Sequence, residues 1–153
     1  MAKRSVQISN RHKKLRIDRK AIRKLFAFLD QDENFAVHEG ELSLVFVDDP
    51  EIAQIHDDFM QDPTPTDVIT FPGDPDMEFA GEIVVSADTA LEKAEELGED
   101  FAKELTLYLV HGWLHLAGLD DRNEQDRAEM REGEAYLMNK IGTANLVPVF
   151  EYR

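Results

Sequence analysis

The sequence contains no cysteine among its 153 residues. Such a chain forms no disulfide and offers no thiolate to a zinc ion, and it fits a reducing compartment. Long apolar runs are also missing, since no stretch approaches the ~20 apolar residues of a membrane-spanning helix. The N-terminus is basic but lacks the apolar region of a secretory signal. We therefore expect a cytoplasmic protein with no membrane partner.

Basic side chains are scarce after the first 24 positions. Residues 1–24 carry a formal charge of +9 and the other 129 residues carry −24, which gives the whole chain −15. An acidic surface repels phosphate, but a basic segment on an acidic chain is typical of proteins that meet a polyanion. Two interpretations remain open: a basic segment that binds nucleic acid, or a solvated basic helix that offsets the charge of the acidic body.

The length fits one domain that spans residues 1–153. Hydrophobic periodicity, capping residues and turn residues predict four strands and five helices. The strands are 6–9, 42–47, 67–71 and 82–86, and the helices are 19–29, 50–59, 86 or 88 to 97, 101–116 and 124–139. Asp18, Asp49 and Asn123 are the expected N-caps of three helices. Short strands beside helices indicate an α+β or α/β domain, in which about five helices pack on one mixed four-stranded sheet.

The most informative motif contains His111 and His115, which are followed by Gly118 and the acidic pair Asp120 and Asp121. Residues four apart lie on the same helix face, so the two imidazoles can converge on one point. A glycine can adopt the positive φ that follows a helix end, which would bring one of the two aspartates back to that point. Two imidazole nitrogens and a carboxylate oxygen are a common ligand shell for catalytic zinc. The alternative is a pair of half-buried structural histidines.

The residue after the first histidine is not a general base. In zinc proteases of the HExxH type that position holds the catalytic glutamate, whereas here it is Gly112, which disfavours peptide hydrolysis. Asp67, in the third predicted strand, is a candidate to reach the site, although strand-end carboxylates also cap turns. Trp113 offers a ring that could stack on a base of single-stranded RNA. It lies on a different helix face from the histidines, which favours a role in the core or as a surface anchor.

Three ordered sequence blocks resemble those of the YbeY family of bacterial rRNA maturation endoribonucleases. The family block H-G-x-L-H-L-x-G-[YF]-D-H matches the run from His111 to Asp121. The block P-T-[DN]-V-L-S-F-P matches residues 65–72, and the block G-[DE]-I-x-I-S matches residues 81–86. The resemblance covers residues 41–138, and the preceding residues agree with the family in element order only.

The resemblance implies a compact α+β fold with one Zn²⁺ at a helix end, placed as in zincins. Its ligands would be His111, His115 and Asp121, with Asp121 in place of the family's third histidine. A carboxylate is a sound zinc ligand, but its harder oxygen leaves other divalent ions possible. Asp120 would then orient the loop or an imidazole N–H.

The resemblance also implies the function. It predicts a metal-dependent, single-strand-specific endoribonuclease that uses metal-activated water in rRNA processing, namely 16S rRNA 3′ end maturation and ribosome quality control. The partners would be rRNA or other single-stranded RNA, together with ribosomal small-subunit proteins.

One further departure from the family leaves an alternative open. The family carries an arginine in the block L-N-x-x-[YF]-R, and residues 55–60 match it with Met60 at the arginine position. If that arginine steadies phosphate charge in the transition state, this chain lacks its help. The alternative function is a non-catalytic ribosome-assembly binding factor with a structural metal.

Overall fold

The computed structural model describes residues 4–153. The strands are β1 (Arg4–Asn10), β2 (Leu15–Ile17), β3 (Gly40–Val47), β4 (Val68–Asp74), β5 (Phe79–Ser86) and β6 (Phe150–Tyr152). The helices are α1 (Arg19–Asp30), α2 (Asp49–Met60), α3 (Ala87–Leu97), α4 (Phe101–Leu116) and α5 (Glu124–Thr143), with a 3-10 turn at Pro75–Met77. The main sheet has the order β1-β3-β5-β4, in which only β4 runs antiparallel to its neighbour. A small second sheet pairs β2 with β6.

The main sheet has a buried cluster of side chains on each face, because successive strand residues point to opposite sides. Leu42, Leu44 and Phe46 of β3 belong to the larger cluster, which also contains the apolar residues of α1 and α4. Val45 and Val47 lie on the opposite face in a smaller cluster with Ile52 of α2. The larger cluster fixes α4 on the sheet, and α4 carries the two histidines of the motif.

Helix α4 approaches β5 unusually closely at Gly112. A Cβ atom at this position would lie 2.5 Å from Cγ2 of Ile83. Real Cβ atoms do not come so close to a neighbour, because protein interiors are already packed to crystal density. A glutamate therefore cannot occupy this position without displacing the Ile83 side chain or the helix, so the base of an HExxH protease does not fit here.

The predicted single α+β domain, with a mixed four-stranded sheet and five helices, is confirmed. Asp18 and Asn123 cap α1 and α5 as predicted. The predicted cap of α2 is wrong by one residue: Asp48 accepts from the Glu51 N–H, and Asp49 already lies in the first turn. Strand β2 was not predicted, because its three residues are too few to show a periodicity. Within residues 4–153, no helix has both the length and the apolarity needed to cross a membrane.

The small sheet joins the two ends of the described chain to α3 through a polar cluster. His12, which is 7% exposed, lies with Nε2 2.7 Å from Oδ1 of Asp88. The Tyr152 hydroxyl of β6 contacts the same carboxylate. Burial raises the pKa of Asp88, but the hydrogen bonds from Tyr152 and His12 outweigh burial and leave the pKa lowered. These contacts hold the part of the basic segment around His12 and β2 against the rest of the domain.

Candidate metal centre

The C-terminal end of α4 folds back because Gly118 adopts a φ of 104°. The Leu119 N–H donates to the Leu114 carbonyl and the Gly118 N–H donates to the His115 carbonyl, both at 3.0 Å. This pair of bonds is the Schellman motif, which satisfies the last carbonyls of a helix. The prediction for Gly118 is confirmed, and the turn returns the following residues, including Asp121, toward the helix end.

Three side-chain atoms converge beyond this turn. The Nε2 atoms of His111 and His115 are 3.1 Å apart, and Oδ2 of Asp121 lies 3.7 and 3.4 Å from them, respectively. In a tetrahedral site with metal–ligand bonds of about 2.0–2.2 Å, the ligand atoms are about 3.3–3.6 Å apart. The observed distances lie around that range. The structure thus brings together the three predicted residues as a group that could hold a metal ion.

Each imidazole ring also contacts a hydrogen-bond acceptor through its other nitrogen, Nδ1. His111 Nδ1 lies 2.6 Å from Oε2 of Glu134 on α5, and His115 Nδ1 lies 3.1 Å from the Leu119 carbonyl oxygen. Because a carboxylate and a carbonyl only accept, Nδ1 is the donor in each of these two contacts. Nε2 is therefore the nitrogen that each ring, when neutral, would offer to a metal. The two Nε2 atoms lie 3.1 Å apart beside a carboxylate, a distance that a proton or a metal ion shared between them would stabilise. Metal-binding histidines typically show this second hydrogen bond.

Glu134 also affects the pKa of His111. Burial of the ring lowers its pKa, but the hydrogen bond and the negative charge of Glu134 outweigh burial. The charges of Asp67 and Asp121 act in the same direction, so the pKa of His111 is raised. Since a metal needs the neutral ring, protons compete with a metal at this group as the pH falls.

The three converging residues lie in a cleft of about 720 Å³, a size typical of ligand sites. Asp67 lies on its wall, although it is not one of the three converging groups, and its Oδ1 accepts from the Val68 N–H at 2.8 Å. It therefore borders the cleft and also caps the start of β4. Arg122 is the one guanidinium among the described residues that line the cleft. Its Nε lies 2.8 Å from Oδ2 of Asp120.

The remaining predictions have mixed outcomes. Trp113 is fully buried, so it is a core residue and not a platform for a base. Asp120 orients the loop, because its Oδ1 accepts the Asp121 N–H at 2.9 Å. Two residues of the site were not predicted. His38 lines the cleft from the segment between α1 and β3. The sequence around Glu134 is typical of an exposed charged helix and gives no sign of its contact with His111.

The chain is similar to known proteins of one family in both sequence and fold. The family described as Endoribonuclease YbeY matches residues 7–142. The Endoribonuclease YbeY of Protochlamydia amoebophila is 46% identical over 105 residues, which covers 66% of this chain and 70% of the relative. That of Carboxydothermus hydrogenoformans is 32% identical over 138 residues, which covers 89% of this chain and 96% of the relative. The solution structure of TM1509 from Thermotoga maritima has a TM-score of 0.65 at 28% identity and covers 92% of each chain.

The family match starts earlier than the sequence blocks suggested. It begins at residue 7 rather than at residue 41, so it includes the last four residues of β1 and all of α1. It confirms the predicted reaction class, a hydrolase that acts on phosphodiester bonds of RNA. On its sequence, its fold and this match, the chain belongs to the Endoribonuclease YbeY family.

Proposed function

We propose that this chain is a zinc-dependent endoribonuclease that cleaves single-stranded RNA during rRNA processing in the cytoplasm, at the 16S rRNA 3′ end and in ribosome quality control. One observation carries the metal part of the proposal: the Nε2 atoms of His111 and His115 lie 3.1 Å apart beside the Asp121 carboxylate. Family membership supports the reaction class. Ribosomal small-subunit proteins are the further partners we propose.

Each residue around the proposed metal position has a specific role in the mechanism that we propose. His111, His115 and Asp121 would hold it, because their donor atoms face one another. When bound, the ion would activate a water and polarise a phosphoryl oxygen. Glu134 holds one of the two rings in the orientation that exposes Nε2. Arg122, on the cleft rim, offers a guanidinium to a phosphate.

Asp67 is our candidate for the group that accepts a proton from the attacking water. It is exposed on the cleft wall, and its charge is close enough to raise the pKa of His111. A general base must lie within hydrogen-bond reach of the proton that it takes, directly or through one water. Its position on the wall of the cleft supports this assignment.

A second candidate function is a ribosome-assembly factor in which the metal is structural. It is favoured by Met60, which stands where the family has an arginine. The Met60 side chain is 67% exposed and is not among the described residues that line the cleft. No cation therefore reaches a phosphate from that position.

Metal content and cleavage distinguish the two candidates. We expect elemental mass spectrometry of the untagged protein to find about one zinc per chain, the stoichiometry of a single three-ligand site. Cleavage of a single-stranded rRNA fragment should stop with chelator and return with added zinc, while the matching duplex stays intact. No bound metal after zinc is supplied would contradict the proposal. One zinc without any cleavage would favour the assembly factor.

We expect Glu134→Gln to weaken zinc binding by about 10–100-fold, the usual cost of losing a second hydrogen bond to a metal ligand. The amide keeps the shape of the side chain but loses its charge, so the His111 ring is held less firmly. A competition titration with a zinc chelator measures the change. The matched control is Glu132→Gln, since Glu132 is exposed on the same helix. Equal affinities in the two variants would exclude this role for Glu134.

A further inference from the structure

We infer that the outer face of α1, together with the adjoining segment around β2, is a docking surface for the phosphate backbone of RNA, separate from the metal cleft. The inference rests on the proposed function only in taking RNA as the polyanion. We call this area the basic surface. It consists of seven exposed cations: Lys13, Lys14, Arg16, Arg19, Lys20, Arg23 and Lys24. None of the seven lines the metal cleft.

The charge of the basic surface is not neutralised within the described part of the chain. Within residues 4–153, none of its seven side chains forms an ion pair. Two other cations of the N-terminal segment are paired, since Arg4 Nε lies 3.0 Å from Asp30 and Arg11 Nε lies 3.0 Å from Glu51. A concentrated positive field thus remains on a protein whose net charge is −15. Phosphate is the polyanionic group that such a field attracts.

The positions of these cations on α1 destabilise the helix. Arg19 and Lys20 occupy the first turn, which contains no acid, although the helix dipole favours anions there. Arg19 with Arg23, and Lys20 with Lys24, are like-charged pairs four residues apart, and such pairs repel. A phosphate backbone along this face would relieve both effects. The surface therefore suits an anionic ligand better than it suits the isolated protein.

The opposite face of α1 distinguishes RNA from a membrane as the occupant. Ile22, Leu25, Phe26 and Leu29 are completely buried in the core. A helix that binds a membrane surface must insert its apolar face into the lipid, and here that face is already occupied. The cations are instead held as a fixed array on a packed helix, so binding requires no folding of the helix.

The basic surface leads toward the cleft. Helix α1 connects the parallel strands β1 and β3, so it runs antiparallel to them. Helix α4 also runs antiparallel to its neighbour β5, because Gly112 faces Ile83 and Leu116 faces Gly81. Both helices therefore end at the same end of the sheet. RNA that lies along α1, about 18 Å long at ~1.5 Å per residue, extends toward the segment that carries His38 into the cleft wall.

A matched pair of triple variants tests the inference. The test variant is Arg19→Gln with Lys20→Gln and Lys24→Gln. The control is Lys93→Gln with Lys103→Gln and Arg131→Gln, which removes the same charge from exposed positions on three other helices. Fluorescence anisotropy with a labelled single-stranded RNA oligonucleotide, in chelator and over a range of salt, measures binding without cleavage.

We expect the test variant to bind about tenfold more weakly at low salt, and its salt slope to fall by about 2, because each lost phosphate contact removes about 0.7. The control should match the wild type. The melting temperature of the test variant should equal or exceed that of the wild type, since repulsion in α1 is removed. Cleavage assays play no part here, so a failure of the zinc proposal leaves this result unaffected.

Three outcomes would overturn the inference. Equal weakening in both triple variants would show that net charge, and not this surface, governs binding. Unchanged binding in the test variant would place the RNA elsewhere. Binding of the wild type to anionic phosphatidylserine vesicles, lost in the test variant and without any difference on RNA, would assign the surface to a membrane.

Discussion

His115→Ala is expected to lower zinc affinity by more than about 100-fold, which exceeds the 10–100-fold cost of losing a supporting group behind a ligand. The variant removes one of three converging donors, and it leaves the Leu119 carbonyl without its imidazole N–H. RNA cleavage should fall to background, because two remaining ligands do not make a catalytic zinc site. Elemental mass spectrometry and a chelator titration measure the metal, and a gel assay measures cleavage.

Two further variants make this result specific. His56→Ala is the control. His56 lies on α2, its Nδ1 contacts the Thr64 carbonyl oxygen, and it does not line the cleft. Its loss should leave zinc in place. Asp121→His restores the family's third histidine and should retain zinc. It should also lower the pH midpoint of cleavage, since a neutral ligand leaves the ion more able to acidify water than an anionic ligand does. Stoichiometric zinc in His115→Ala would refute the ligand assignment.

Trp113→Ala is expected to lower the free energy of unfolding by about 3–5 kcal/mol, the usual loss for a large aromatic removed from a core. Trp113 is completely buried, its ring centroid lies 5.6 Å from that of Phe26, and the Arg4 guanidinium carbon lies 5.4 Å from it. These contacts join α4 to α1 and to β1. Urea denaturation followed by circular dichroism measures the loss. Tryptophan fluorescence cannot follow the unfolding of this variant, because Trp113 is the only tryptophan in the sequence.

Trp113→Phe separates packing from hydrogen bonding. Among residues 4–153 the indole Nε1 has no hydrogen-bond partner. Phenylalanine therefore loses volume but breaks no hydrogen bond, and we expect well under half the destabilisation of the alanine variant. Equal destabilisation by the two variants would contradict packing as the source.

The residues of the site that could be predicted are those that local geometry places. His111 and His115 meet because a helix repeats every 3.6 residues, and Gly118 returns Asp121 because a Schellman turn needs a positive φ. All of this information lies within eleven consecutive residues. Glu134 could not be predicted, because it reaches His111 only through the packing of α5 on α4.

The same distinction holds for the fold. Hydrophobic periodicity located the four main strands and the five helices. Strands β2 and β6 pair although they are more than 130 residues apart in the sequence. Each strand has only three residues, so no local pattern predicts this pairing. Asp48 and Asp49 are chemically equal as caps, so the choice between them depended on where β3 ends.

The hydrogen bond between His111 and Glu134 has a consequence for the newly made protein. The two residues lie on different helices, and α5 is the last helix of the described chain. Until α5 has been synthesised and has docked on α4, the His111 ring lacks this hydrogen-bond acceptor. On the proposed function, a metal would reach its full affinity, and the nuclease its full activity, only after the last helix has packed.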